Sequence, residues 1–134
     1  MTEIKIGGRT IPLHFTTYEM IAIQEEIGCT AAELREKVFG IIADDENPDE
    51  FRITVINDPE KMKKLGKLIR ILGNAGLEES GKDADLTDKW ILRNMKPGLI
   101  NGYAIVAMTE IVEGMAMESP GMAEQESGPV DEVL

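Results

Sequence analysis

A mostly helical α+β fold, with a short N-terminal β-hairpin packed on about five helices, is what this 134-residue sequence predicts. Three observations carry that reading. Apolar residues alternate on both sides of Gly7-Gly8, two helix-capping signatures follow within twenty residues, and residues 59–79 show a long apolar stripe of helical period. Hydrophobic residues make up 43% of the chain and charged residues 29%, an ordinary balance for one globular domain, here expected over residues 1–117, while aromatics are scarce at 4% and leave little for stacking platforms.

The hairpin is expected over residues 3–15. Ile4 and Ile6 alternate with Glu3 and Lys5, Gly7-Gly8 permits the positive φ of a two-residue turn, and Ile11, Leu13 and Phe15 resume the alternation. Pro12 has no N–H for a ladder, so its strand is expected at an edge. A lone hairpin is marginal in water, so its apolar face must pack on the helices that occupy residues 16–117.

Thr16 and Glu19 have capping-box spacing, and the first helix should run to about Ile27 with Met20, Ile23 and Ile27 inward and Gly28 ending it. Thr30 and Glu33 repeat that spacing. They predict a second helix to about Ile42, with Leu34, Val38, Ile41 and Ile42 inward. Residues 44–50 form an acidic loop broken by Pro48, and 51–56 suit either a strand or a helical turn.

Asp58 then caps a helix with Pro59 in its first turn, running to about Glu79. Its stripe is Met62, Leu65, Ile69 and Leu72, widened by Leu68, Ile71 and Ala75. Gly66, Gly73 and Gly76 either permit close approach or mark a bend or end. Thr87 or Asp85 caps a short helix bearing Trp90, Ile91 and Met95, which Pro97-Gly98 ends. The last helix, about Leu99 to Met117, carries Ile100, Ala104, Ala107, Ile111 and Met115. Residues 118–134 hold five acids, no base and no apolar period, the pattern of a disordered acidic tail.

Charge and composition narrow the function. Asp and Glu number 25 against 14 Lys and Arg, a net charge of −11, which repels nucleic-acid phosphates and anionic lipid, so neither is expected as a partner. The N-terminus lacks a signal-peptide pattern and no long apolar run is present, so a cytoplasmic location is expected. One Cys and one His exclude a disulfide and a His/Cys metal cluster. His14 has no motif that would make it a base, and Cys29 no second thiol; both read as structural residues. The acids of 44–50 lack the mid-loop glycine of a calcium loop, and Gly7-Gly8 lacks the following helix of a phosphate cradle. No catalytic residue, metal or cofactor is expected.

Two features remain as candidate partner-binding surfaces. Lys63, Lys67 and Arg70 form a positive stripe, either a solvated helix face or a dock for an acidic segment such as the chain's own tail. Ile105, Met108 and Val112 widen the stripe of the last helix through Met115 beyond what one neighbour covers, either as core or as an adaptable surface.

The run from Ile4 to Thr16, leading into a helix that ends Gln24-Glu25-Glu26-Ile27-Gly28, resembles the opening of tail assembly chaperones from long-tailed phages and prophages. Ile69-Arg70-Ile71-Leu72-Gly73-Asn74-Ala75-Gly76-Leu77, Leu86 to Leu92 and Lys96-Pro97-Gly98 are similar to the same family, and the resemblance spans about residues 3–117. It implies a non-enzymatic protein that binds the tape-measure protein, helps recruit tail-tube protein and leaves room for self-association. It also makes the acidic tail the segment that would vary if a longer, frameshifted form exists. The competing readings are a small acidic adaptor for a host protein, acting as a nucleic-acid mimic, and an enzyme working through carboxylates and backbone groups alone.

Overall fold

The computed structural model describes residues 2–43, 51–54 and 58–116. The acidic loop 44–50, Val55, Ile56 and the tail 118–134 lie outside the described residues. Ile4 and Ile6 fall in β1 (Thr2–Ile6), and Ile11 and Leu13 in β2 (Arg9–Leu13), paired antiparallel with Ile6 opposite Arg9 and Glu3 opposite Pro12. Gly7 and Gly8, at φ 59° and 76°, form the primed two-residue turn that matches strand twist. Such a turn makes Ile6 and Arg9 a hydrogen-bonded pair, and alternation then leaves Glu3–Pro12 a pair that exchanges none. The missing N–H of Pro12 therefore removes no bond from the ladder.

The α1 helix (Thr17–Glu26) begins at Thr16, whose N–H donates to Glu19 at 2.9 Å. The second capping box also forms, with Thr30 N–H on Glu33 at 2.9 Å and Glu33 N–H on Thr30 Oγ1 at 3.2 Å. The segment beyond it corrects the expected helix to Ile42. Only one turn, α2 (Leu34–Lys37), is helical, and residues 40–43 form β3 (Gly40–Ala43). β3 pairs antiparallel with β4 (Phe51–Thr54), Ile41 opposite Ile53, which makes residues 51–54 of the ambiguous segment strand. Gly40 interrupts the helical run, and the β-branched residues on both sides pair more favourably as strands. Among the described residues four helices are longer than one turn, not five.

Asp58 caps α3 (Pro59–Glu79) by accepting from Glu60 N–H at 2.9 Å. This 21-residue helix is the centre of the molecule and touches β2, α1, α4 (Asp88–Asn94) and α5 (Ile100–Gly114). Thr87, not Asp85, caps α4, and a 3₁₀ turn at Pro97–Leu99 leads into α5. The core gathers Ile6, Ile11 and Leu13 from the hairpin, Ile23, Leu34 and Phe39, Leu65, Leu68, Ile69 and Leu72 of α3, Ile91, and Ala104 and Ala107, all fully buried. Burying each Leu, Ile or Phe contributes about 1.5–3 kcal/mol.

The glycines of α3 are sites of close approach, and the helix runs through them. A Cβ on Gly76 would fall on the carbonyl oxygen of Pro12. His14 N–H donates to Leu72 O at 3.1 Å, so α3 closes the outer side of β2. Asn74 continues this fastening on the next turn, its amide accepting from Leu86 N–H at 3.0 Å and donating to Leu86 O at 3.2 Å.

Candidate functional site

The small residues Ala104 and Ala107 turn one side of α5 inward with Tyr103 and Ile111. The opposite side stays open. Ile105 is 48% exposed, Val112 57% and Met115 48%, while Met108 is half-buried against the core. Spacings of three and four residues put these four on one face, and Gly102 and Thr109 on its flank are exposed too. The Thr109 hydroxyl donates to Ile105 O at 2.8 Å, so the face offers no unpaired polar side chain there. Glu113 stands at its border, accepting from the Thr2 hydroxyl at 3.2 Å. The apolar candidates Ile105, Met108, Val112 and Met115 are thus brought together. Met115, expected inward, is exposed because α5 ends at Gly114 and the chain leaves the helical path there. Leu99, 53% exposed, extends apolar surface at the other end and carried no periodic signal.

The positive stripe stands differently. Lys67 Nζ lies 2.9 Å from Asp88 Oδ2, and Arg70 is ion-paired to both Asp88 and Glu26. Lys63 faces Glu60 at 3.7 Å, with both side chains well exposed. Two of the three cations therefore fasten α3 to α4 and α1, so the stripe is neither a wholly solvated face nor an open dock; of the three, Lys63 alone keeps a mostly solvated side chain. Burial raises the Asp88 carboxyl, but hydrogen bonds from Lys67 and Arg70 outweigh it and hold the group below its ordinary range. A depressed folded pKa stabilises the protein above the unfolded value of about 3.9 and loses that stabilisation as pH falls through the folded value. Asp88→Asn should cost about 1–2 kcal/mol at pH 7, an amount already discounted for the partial exposure of the pair, and little at pH 2. Urea unfolding of both proteins at the two pH values measures it.

A shallow groove runs between α1 and α3. One part, of about 330 Å³, is lined by His14, Tyr18, Glu19, Glu78 and Glu79, and an adjoining part of about 130 Å³ reaches Glu26 and Arg70. Tyr18 is 77% exposed at its rim. Cys29 is buried away from solvent, and burial first, then Glu33, pushes its thiol up against the opposing pull of Lys64 and Lys37, which makes it a poor nucleophile. Among the described residues, no group of three or more His, Cys, Asp or Glu side chains could hold a metal ion.

Sequence reasoning missed Glu110. It is 5% exposed and accepts the Thr2 N–H at 3.0 Å and the Phe15 N–H at 3.2 Å, joining α5 to both ends of the hairpin. The available signal was an acid three residues after Ala107 and next to Ile111, on the inward side of the helix. No helix among the described residues is long and apolar enough to cross a membrane. Compared with protein-family models, with curated proteins and with solved structures, the chain shows no match.

Proposed function

We propose that this chain is a non-enzymatic, cytoplasmic tail assembly chaperone of the kind made by long-tailed phages and prophages, holding a tape-measure protein for assembly with tail-tube subunits. The observation that carries this reading is the open, uncharged face of α5 at Ile105, Met108, Val112 and Met115. A helical client presents apolar residues at three- and four-residue spacing, and a helix face with the same spacing can pack against them side by side. The net charge of −11 keeps such a holdase in solution while its apolar face is occupied or empty.

The test is co-expression with a tape-measure protein. The wild-type chain should co-purify with it and raise its soluble yield, whereas Ile105→Glu with Val112→Glu should lose about tenfold or more in affinity and leave the fold intact, since both side chains face solvent. An unchanged client yield with and without the chain would sink the proposal. A second reading, an acidic adaptor, draws on the groove lined by Glu19, Glu78 and Glu79. It predicts that a basic host partner is displaced by DNA, which the chaperone reading does not.

A further inference from the structure

We propose that β1 is a dimerisation edge, pairing antiparallel with β1 of a second copy to give a four-stranded sheet in the order β2–β1–β1–β2. The two sides of the hairpin are treated differently by the rest of the chain. The outer side of β2 is closed by α3, through the His14–Leu72 hydrogen bond and the contact of Gly76 with Pro12. Among the described residues no third strand follows along β1, and α5 is the helix that packs against it most closely. The hydrogen-bonding phase is fixed by the turn. Ile6 and Ile4 bond across to β2, so the backbone groups of Glu3 and Lys5 point to the outer side. Among the described residues, no backbone or side-chain group bonds to them there. Such groups need a partner, either water or another strand.

The side chains name the partner. Around a two-fold axis through Ile4, the antiparallel register that lets outward groups bond outward groups places Glu3 against the partner's Lys5 and Lys5 against the partner's Glu3. Glu3 and Lys5 are both exposed, so opposite charges meet twice on the solvent face. On the other face Ile4 and Ile6 are already buried within their own copy, so the new contact rests on the backbone pairing and the two charge pairs. A lysine on an edge strand ordinarily discourages pairing. In this register alone the glutamate two residues earlier answers it, so the edge is selective for its own copy, as a two-fold interface requires. Strand pairing of five residues falls short of the roughly 800 Å² per partner of a standard interface, so a reversible dimer is expected. The inference needs no client and stands apart from the chaperone reading.

Sedimentation equilibrium of the full chain, without any partner, tests it. The wild type should dimerise reversibly with concentration. Glu3→Lys and Lys5→Glu should each weaken association about tenfold or more, because both cross-strand pairs become like-charged. The double exchange, Glu3→Lys with Lys5→Glu, should restore it. Thermal unfolding at low concentration confirms that each variant folds, and hydrogen exchange should show the Glu3 and Lys5 amides slowed in the dimer only. A wild type that stays monomeric at all concentrations overturns the proposal. So does a dimer that ignores the single reversals, a double exchange no better than the single ones, or edge amides that exchange equally fast in monomer and dimer.

Discussion

Gly76→Ala should be among the most damaging substitutions in this chain, lowering stability by about 3 kcal/mol or more although alanine is the better helix former by about 1 kcal/mol. The added Cβ has nowhere to go. It falls on the backbone oxygen of Pro12, which belongs to a strand and cannot rotate aside as a flexible side-chain end can. Either α3 lifts from β2 and breaks the His14–Leu72 hydrogen bond, or the strand shifts and disturbs its pairing with β1. Gly102→Ala is the internal control. That residue is helical and exposed, with open space where a Cβ would stand, so the same change should stabilise by about 0.5–1 kcal/mol. Denaturant unfolding of the two variants should give opposite signs; equal effects would mean that α3 and β2 do not meet this closely.

Glu110→Ala should lower stability by about 2–4 kcal/mol, because two N–H groups, of Thr2 and Phe15, lose their acceptor in a place water reaches poorly. Glu110→Gln keeps one carbonyl oxygen and nearly the same shape, so it should lose about half as much. The damage should be local to the joint between hairpin and α5. Hydrogen exchange at Thr2 and Phe15 should speed up in both variants, while the α3 amides, which depend on other contacts, should change only with global stability. Unchanged exchange at those two amides would remove Glu110 from this role.

These two positions also show where reading along the chain stops being informative. Gly76 in isolation is only a weak helix residue, and Glu110 only a charge on an apolar helix. Their importance comes from Pro12 and from Thr2 and Phe15, far away in sequence. The same holds for Lys67 and Arg70. Helical spacing put them on one face, but their actual neighbours, Asp88 and Glu26, belong to other helices and turn a candidate dock into a fastening. For the apolar candidates the spacing was a better guide. Ile105, Met108, Val112 and Met115 do share a face, yet a buried central helix would carry the same pattern, and only the packing of Ala104 and Ala107 shows which side is left open.

Local signals were enough for the hairpin, its turn, the caps at Thr16 and Asp58, and the full length of α3, and they narrowed the cap of α4 to Thr87 or Asp85. Each depends on atoms within a few residues: a positive φ that glycine accepts, a side-chain oxygen in reach of the next amide, an apolar residue every third or fourth position. The segment after Thr30 marks the limit. Its capping box forms as the residues dictate, but residues 40–43 become a strand because residues 51–54 offer them a ladder, and a partner seven or more residues away leaves no trace in helical spacing. Which edge is covered, which acid is buried and which helix face is open are decided the same way, by contacts between elements that the chain brings together only when it folds.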